Sequence, residues 1–309
     1  MSLPADVESD YPLARLTTVR AGGNAKFFAR PETEPALVDL LRWAGGEGHT
    51  VEVVGSGSNL LVADAGVGGL VLKLAGYLAT IERENPGVMC GGGARLPSVS
   101  ARAAGWGLAG IEFGVNIPGT VGGAVRMNAN AYGGQLAMCL DWVDVSTAAG
   151  TDRRGPDELG FSYRRSNLEP GEVVSRAGFA LTEEDSAVVK ERMGAMRDQR
   201  REAQPSGIKT FGSTFKNPED ERAEGRTAGQ LLEAAGCRGL QVGGARFAEK
   251  HANFVENMGS AATADIVGLM AEGRRRVHEK FGVVLEPEVQ VLGDVEWPSS
   301  WNLGDAPGR

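Results

Sequence analysis

Glycine is the feature of this sequence that most limits what the chain can fold into. It makes up 45 of the 309 residues, about twice its share in average proteins. The glycines have no fixed period, which excludes a collagen-like repeat. They concentrate in segments 55–69, 91–93, 105–123 and 133–134. Because a residue without a Cβ lets the backbone pass close to another group, clustered glycines in a globular chain indicate backbone pressed against a ligand.

The remaining composition is that of a globular protein, with 42% hydrophobic and 23% charged residues. The length predicts about two domains. The first thirty residues carry Asp6, Glu8 and Asp10 without an apolar run, and no stretch approaches the roughly 18 apolar residues of a membrane span. We therefore expect a cytoplasmic protein without a signal peptide or membrane segment. A net charge of −8 without a basic stripe disfavours a nucleic-acid partner.

Cysteine and histidine give no sign of a metal site. Cys90, Cys139 and Cys237 are far apart and lack the spacing of metal ligands, so we expect reduced, partly buried thiols. Only three histidines occur in the chain, which argues against a histidine-based metal centre. We predict no metal ion.

Apolar periodicity and turn signals predict alternating helices and strands. The predicted helices span residues 33–46, 96–106, 183–203, 227–235 and 264–281. The predicted strands span residues 51–54, 60–62, 69–73, 79–83, 87–91, 141–147, 172–181 and 283–292. The last of them is interrupted by Pro287, which predicts an edge or rim strand. Residues 107–134 keep no period and predict a long glycine-rich loop, whose apolar content argues against disorder.

These elements divide the chain into three parts and a tail. Residues 1–75 form a first α/β unit, residues 76–204 a second that ends before Pro205, and residues 205–292 a third. The tail, 293–309, holds Trp297 and Trp301 among Pro, Ser and Gly. We expect it to be poorly ordered unless those rings dock.

The segment Gly55-Ser-Gly-Ser-Asn-Leu60 directly follows a predicted strand. Successive small residues let consecutive N–H groups converge on an anion, and two hydroxyls add donors. The spacing differs from the G-x-G-x-x-G dinucleotide fingerprint and no helix is predicted after it, which disfavours a Rossmann site. An ordinary tight turn remains the alternative.

A second glycine-rich segment runs from Ile117-Pro-Gly-Thr-Val-Gly-Gly-Ala124 to Gly133. Pro118 fixes one turn, the glycines permit close approach, and Asn128 and Asn130 supply amide donors and acceptors. Such a loop can wrap a flat aromatic ring and a pyrophosphate. A purely structural crossover loop is the alternative.

Three later segments carry candidate polar groups. In Phe161-Ser-Tyr-Arg-Arg-Ser166 two adjacent arginines on an extended segment would point to opposite faces, so at most one enters a given site. In Phe211-Gly-Ser-Thr-Phe-Lys-Asn-Pro218 no histidine context supports a hydrolase serine. In Leu285-Glu-Pro-Glu-Val289 alternation places both glutamates on one side unless Pro287 distorts the segment. Taken alone, the three segments are also compatible with surface arginines, with a plain turn and with carboxylates at the rim of the protein, respectively.

In this order along one chain, the five motifs resemble the UDP-N-acetylenolpyruvoylglucosamine reductase family (UDP-N-acetylmuramate dehydrogenases). The resemblance covers roughly residues 14–292. It implies an α+β protein, with an FAD-binding fold of the vanillyl-alcohol-oxidase type made of two α/β subdomains, followed by a C-terminal α+β substrate domain. The short span between Arg164 and Ser213 resembles the compact branch of the family, which lacks the extra substrate-gating loop.

The resemblance also implies a reaction and its participants. Noncovalently bound FAD is reduced by NADPH and passes hydride to UDP-N-acetylglucosamine enolpyruvate, giving UDP-N-acetylmuramate for peptidoglycan synthesis. Catalytic roles are implied for Arg164, for Ser213 as proton donor and for Glu288 as catalytic carboxylate. Substrate contacts are implied for Tyr163, Lys216 and Asn217.

The cofactor contacts implied by the resemblance lie in the two glycine-rich segments. They are Gly55, Ser56, Gly57, Ser58, Asn59, Leu60, Ile117, Pro118, Gly119, Thr120, Gly122, Gly123, Asn128, Tyr132 and Gly133. The family commonly has Asn-Ala-Gly where this chain has Asn128-Ala-Asn130. Asparagine tolerates positive φ better than most residues, so we expect the turn at Asn130 to survive.

Two alternatives remain at this point. A flavin oxidase of the same fold, acting on a sugar or alcohol, would often tether FAD through a histidine or cysteine in its N-terminal loops. The absence of histidine between residues 50 and 250 weakens that reading. A non-enzymatic nucleotide-sugar binding module would not need the set formed by Arg164, Ser213 and Glu288.

Overall fold

A computed structural model describes residues 3–205 and 207–302. The chain divides into two compact units, each built from separate stretches of sequence. The first unit comprises the described residues of Met1–Tyr11, Ala25–Ser56 and Gly68–Glu202, and the second those of Pro12–Asn24, Gly57–Val67 and Ala203–Arg309.

Helices and strands alternate along the described residues. The α-helices are α1 (Glu34–Gly46), α2 (Leu96–Gly105), α3 (Val121–Arg126), α4 (Ser186–Ala203), α5 (Ala228–Ala234) and α6 (Thr263–Phe281). Short 3-10 helices span Leu13–Arg15, Gly76–Ala79, Glu112–Asn116, Leu136–Met138, Pro156–Leu159, Glu221–Ala223 and Ser299–Trp301. The strands are β1 (Val7–Pro12), β2 (Asn24–Ala29), β3 (Val51–Val53), β4 (Leu60–Val62), β5 (Val67–Leu72), β6 (Ile81–Glu84), β7 (Gly87–Gly91), β8 (Leu108–Ala109), β9 (Asn130–Ala131), β10 (Gly134–Gln135), β11 (Leu140–Thr147), β12 (Gly150–Arg154), β13 (Val173–Ala180), β14 (Thr182–Glu183), β15 (Gln241–Val242), β16 (Ala245–Phe247), β17 (Val255–Asn257) and β18 (Gln290–Leu292).

The first unit is built on two sheets. One has the strand order β1-β2-β5-β3, with β3 parallel to β5, and the other is antiparallel with the order β12-β11-β13-β7-β6. Helix α1 begins where Thr33 Oγ1 accepts from Ala36 N. Its Leu37 and Leu41 share a core with Leu70 of β5. Burying each such leucine stabilises the unit by roughly 1.5–3 kcal/mol.

The second unit packs helices α5 and α6 with the three-stranded sheet β15-β16-β17. Its other strand pair joins β4, early in the chain, in parallel to β18, near its end, with Leu61 opposite Val291. The rings of Trp297 and Trp301 lie 4.1 Å apart and pack against the core of this unit. The tail was expected to be ordered only if these two rings dock, and they do so within residues 293–302. Residues 303–309 lie outside the described part of the chain.

Most elements follow the sequence prediction, and two predictions are wrong. Residues 107–134 are not a continuous loop, because α3 and short strands lie within them. Helix α3 was not predicted because Gly122 and Gly123 lower the helix propensity of the segment, although Val121 and Val125 form an apolar i,i+4 pair. The strand at 283–292, predicted with an interruption at Pro287, is present only after that proline, as β18, and its first part, 283–286, is not a strand. Among the described residues no helix is both long and apolar enough to cross a membrane.

Candidate active site

Gly55 and Thr120 mark the point where the two glycine-rich segments of the first unit meet. A Cβ on Gly55 would overlap Thr120 Oγ1, so the approach requires glycine. Thr120 is held by an antiparallel bridge to Arg95, in which Leu96 N donates to Gly119 O at 3.0 Å. The structure thus brings together two segments that the sequence could only describe separately.

These segments leave backbone donors and open backbone faces. Among the described residues no acceptor receives the N–H groups of Gly55 and Ser56. A Cβ on Gly123 would have Thr120 Oγ1, 3.6 Å away, as its nearest neighbour, and one on Gly119 would have Ile117 at 3.9 Å. Free N–H groups suit an anion, and backbone that is open on one side suits a flat ring. The residues present therefore fit a flavin dinucleotide.

Other glycines of the predicted cofactor set are explained by the packing or the backbone conformation of the chain itself. Gly57, in the second unit, has a φ of +65°, and a Cβ there would overlap Leu16 O. A Cβ on Gly122 would lie 3.2 Å from Gly92 O. Gly133 has a φ of +79° and nothing within 4 Å of a Cβ position. Only some glycines of these segments are therefore available to face a ligand.

Arg164 lies in a tight turn, and the prediction of an extended segment is wrong. Ser162 and Arg165 exchange two backbone hydrogen bonds, of 3.0 and 3.2 Å, so Tyr163 and Arg164 form the two-residue tip of a hairpin. Arg164 has a φ of +58°, a region that non-glycine residues rarely occupy. Its direction is set by this turn and not by strand alternation.

Asn128 braces that hairpin from the glycine-rich segment. It is 3% exposed, and its amide nitrogen donates to Ser162 O at 3.3 Å while its amide oxygen accepts from Ala137 N at 3.2 Å. In addition, Arg164 Nη1 donates to Asn130 O at 3.3 Å. The segment predicted to touch the cofactor therefore also holds the predicted catalytic arginine.

Asn130 does not adopt the conformation expected from the family pattern. The non-glycine residues with positive φ in this segment are Asn128, at 37°, and Tyr132, at 53°. Asn130 instead begins β9, where its side chain imposes no backbone strain. Tyr132 is fixed by Asn116, whose amide nitrogen donates to the phenol oxygen at 2.8 Å.

In the second unit, Ser213 and Glu288 lie on neighbouring segments. Glu288 N donates to Thr214 O at 2.9 Å, and Phe215 forms an antiparallel bridge with Pro287. On its other side, Ser213 forms a bridge with Phe254. The serine segment is thus held between the glutamate segment and residues 253–254.

Asn253 fixes the serine segment by its side chain. It is 3% exposed, accepts from Phe215 N at 2.9 Å and donates to Phe215 O at 2.8 Å. His251 Nδ1 accepts from Asn253 N at 3.2 Å, and burial lowers the pKa of this histidine. No role for residues 250–254 was predicted from the sequence. Their contacts make them a support for Ser213.

Three further contacts bring the early segment 57–60 to the same place in the second unit. Gly212 has a φ of +83°, and a Cβ there would lie 3.7 Å from Ser58 O. The side-chain amide of Asn59 donates to Glu288 O. Leu60 pairs with Gln290 at the start of the β4–β18 ladder. Three segments distant in sequence therefore converge around Ser213 and Glu288.

Lys216 and Asn217 follow directly on the serine segment. Lys216 Nζ lies 3.3 Å from Glu286 Oε2, and its backbone N donates to Glu286 O. Asn217 Oδ1 accepts from Ala228 N at 3.1 Å, at the start of α5. The amide oxygen of Asn217 is thus engaged in holding a helix terminus.

Comparison with known proteins covers nearly the whole chain. The sequence profile of the C-terminal domain of UDP-N-acetylenolpyruvoylglucosamine reductase matches residues 204–292, and that of an FAD-binding domain matches residues 25–154. A reductase of that name from Anaeromyxobacter sp. (strain Fw109-5) is 42% identical, over 94% of this chain and 89% of the relative. A second, from Symbiobacterium thermophilum, is 41% identical over 95% and 94%. The crystal structure of the reductase from Thermus caldophilus is 36% identical, with a TM-score of 0.80 over 93% of this chain and 99% of that one.

The chain belongs to the UDP-N-acetylenolpyruvoylglucosamine reductase family.

Membership of the reductase family confirms the predicted fold class, an α+β FAD-binding fold with a C-terminal domain. It also confirms FAD as the cofactor. The division at residues 75 and 204 stays a prediction, as do the roles of the individual site residues.

The thiols and possible metal ligands of this reductase-family chain can be described directly. Cys90, Cys139 and Cys237 are free, and all three are buried, which is deeper than the partly buried thiols predicted. Burial raises the pKa of Cys139 to about 12 and that of Cys237 to about 11. Within residues 3–205 and 207–302, no group of three potential ligands could hold a metal ion.

Two supporting residues were missed by sequence reasoning. Asn253 was assigned no role from the sequence, and its partner Phe215 is 38 residues away. Lys73 donates from Nζ to Gly55 O at 2.6 Å. A lysine directly after the apolar run of β5 was the available signal, because a charge at the end of a buried strand needs a partner.

Proposed function

We propose that this chain reduces UDP-N-acetylglucosamine enolpyruvate to UDP-N-acetylmuramate, with NADPH as reductant, in peptidoglycan precursor synthesis. The observation that carries the proposal is the hydrogen-bonded arrangement of the Ser213 segment beside the Glu288 segment. It places a hydroxyl donor and a carboxyl group in one unit, in a chain 42% identical to a reductase of this name. The reaction belongs in the cytoplasm, where NADPH and nucleotide sugars are available.

The chemistry defines what the protein must supply. Hydride adds to the methylene carbon of an enol ether, and a proton adds to the adjacent carbon, which bears the carboxylate. Negative charge builds on that carbon and spreads into the carboxylate before protonation. The flavin, once reduced by NADPH, would supply the hydride when bound. The residues must therefore provide fixed positive charge, hydrogen-bond donors and a proton.

Arg164 is suited to the carboxylate of the substrate. Its guanidinium is always cationic and can grip two coplanar oxygens. The hairpin around Arg164 is braced at Ser162 and Asn130, so little conformational freedom remains to be lost on binding. A preorganised cation stabilises charge that develops only in the transition state.

Ser213 is suited to deliver the proton. It is half-buried, and its backbone is fixed on both sides by the bridge to Phe254 and by Thr214, which accepts from Glu288 N. A hydroxyl is a weak acid, so its proton must be replaced from a neighbour or a water chain.

Glu288 cannot act on the substrate as a bare carboxylate, because it would repel the developing negative charge. In its protonated form it is a hydrogen-bond donor, and as a carboxylate it can hold a water molecule that donates instead. Asn59 and Thr214 fix its backbone from both sides.

Substrate contacts are assigned to Tyr163, Lys216 and Asn217. Because the amide oxygen of Asn217 accepts from Ala228 N, Asn217 would contact the substrate through its amide N–H₂ group.

Anaerobic reoxidation of the flavin tests this function. The purified protein should be yellow, should bleach with NADPH, and should recolour without oxygen when the enolpyruvyl sugar is added. An oxidase of the same fold would recolour only with oxygen, and a binding module would not bleach. Failure to recolour anaerobically with the sugar would refute the proposed reaction.

A further inference from the structure

Lys73 is a half-buried cation behind the first glycine-rich segment. It follows β5, where Leu70, Val71 and Leu72 are fully buried, and its backbone N donates to Ala29 O at 3.0 Å. Its ammonium donates to Gly55 O at 2.6 Å. The lysine is thus anchored in the sheet and reaches the loop that precedes Ser56.

No opposite charge compensates this lysine within the described residues, since no carboxylate there lies within ion-pair distance of Nζ. Its charged neighbour is Arg30, and burial together with that like charge lowers the pKa of Lys73. Glu52, a half-buried charge of the same unit, differs because Arg126 opposes it with the opposite sign. A desolvated cation beside another cation is unfavourable unless an anion joins it.

The contact with Gly55 also fixes the direction of the next N–H group. In a trans peptide, the C=O of one residue and the N–H of the following residue point in opposite directions. Because Lys73 holds Gly55 O, Ser56 N–H is directed away from the lysine. That N–H has no acceptor among the described residues, and it is polarised by the positive charge behind the peptide.

We propose that Lys73 is a positioning residue for the pyrophosphate of FAD, which turns Ser56 N–H toward the anion and supplies an uncompensated positive charge one peptide behind it. The proposal rests on FAD as cofactor and not on the sugar substrate. Lys73 should lower the stability of the flavin-free protein and strengthen the binding of FAD. An ordinary structural lysine would stabilise the flavin-free protein as well.

Three substitutions test the assignment. Lys73→Met removes charge and donor, Lys73→Gln keeps a donor but removes the charge, and Lys73→Arg keeps both. Lys26→Met is the matched control, because Lys26 is an exposed residue of the same unit and its loss changes net charge equally. Each holoprotein is diluted, and FAD release is followed by flavin fluorescence. The melting temperature of each flavin-free form is then measured.

Lys73→Met should weaken FAD binding by about 10- to 100-fold, the scale of a hydrogen bond to a charged group. Lys73→Gln should lie in between, while Lys73→Arg and Lys26→Met should stay within about threefold of the wild type. The flavin-free Lys73→Met protein should melt at or above the wild-type temperature. Unchanged FAD affinity in Lys73→Met, or a lowered melting temperature or lost fold in the flavin-free Met and Gln variants, would overturn the proposal. Loss of FAD from the wild type itself would instead count against the cofactor assignment.

Discussion

The side-chain amide of Asn59 donates a 3.2 Å hydrogen bond to the backbone carbonyl of Glu288, 229 residues later in the chain. Gln290 N returns a hydrogen bond of 3.0 Å to Asn59 O. The end of the first glycine-rich segment therefore fixes the backbone of the proposed catalytic carboxyl group. Asn59, assigned to the cofactor by family resemblance, also serves to position Glu288.

Asn59→Ala should slow flavin reoxidation by the enolpyruvyl sugar. Losing the hydrogen bond should cost about 0.5–1.5 kcal/mol of stability. A misplacement of Glu288 on the order of 1 Å should reduce the rate by about 10- to 100-fold. Asn167→Ala is the control, since Asn167 makes a comparable side-chain bond to Glu158 O in the first unit. A wild-type reoxidation rate in stopped flow would contradict the positioning role.

Ser213→Ala should separate the two half-reactions. Flavin reduction by NADPH needs no proton on the sugar carbon and should stay nearly unchanged. Reoxidation by the enolpyruvyl sugar should fall by about 10²- to 10⁴-fold, the usual range for a lost general acid. Ser213→Cys should recover part of the rate, because a thiol also carries a proton. Equal slowing of both half-reactions would show that Ser213 organises the flavin site instead.

Arg164→Lys should be severely impaired, by about 100-fold or more, while Arg165→Lys should stay within about threefold of the wild type. Lysine keeps the charge of Arg164 but loses the planar pair of donors that a carboxylate requires. The neighbouring Arg165 is exposed and closes the turn by pairing with Ser162. Steady-state kcat and KM are measured for both variants. A larger loss of activity in Arg165→Lys than in Arg164→Lys would identify Arg165 as the substrate-binding residue.

Gly123→Val should fold without retaining FAD. The nearest atom to a Cβ at Gly123 is 3.6 Å away, so the chain itself leaves room for a side chain that would occupy the space of the cofactor. Gly105→Val is the matched control, since nothing lies within 4 Å of a Cβ there. The ratio of flavin to protein absorbance after purification gives the result. Full flavin occupancy in Gly123→Val would remove this glycine from the site.

Acid precipitation should leave a colourless pellet and a yellow supernatant, because FAD is held noncovalently. A cysteine tether needs a thiolate. Burial raises the pKa of Cys139 to about 12 and that of Cys237 to about 11, so both remain protonated at neutral pH. Cys90 is buried as well, and its pKa is also raised. Colour that stays with the precipitated chain would demonstrate a covalent link.

Local signals account for the elements that the sequence predicts well. Thr33 and Pro35 mark the start of α1 because capping acts within one turn. The strands β15 to β17 were missed since two or three residues are too few to show a period. The turn at Arg164 was missed for a different reason. Its closure is supported by Asn128, which is remote in sequence and gives no local signal.

The residues of the candidate site also fall into those that the sequence identifies and those that only the structure reveals. Gly55, Ser213 and Glu288 stand in motifs that a family resemblance can identify. Lys73 and Asn253 act through partners 18 and 38 residues away, and only their contacts reveal them. What a sequence motif cannot convey is which neighbours hold its members in place.

The parallel pairing of β4 with β18 has a consequence for how the protein is made. Residues 60–62 leave the ribosome long before residues 290–292. Their backbone groups therefore have no β-ladder partner until residues 290–292 have also been synthesised. Closing so large a loop is entropically costly and slows folding. During synthesis β4 is an exposed apolar strand, open to wrong pairing with other chains. The segment from Gly57 to Asn59 can reach its final arrangement only after residues 290–292 have been synthesised.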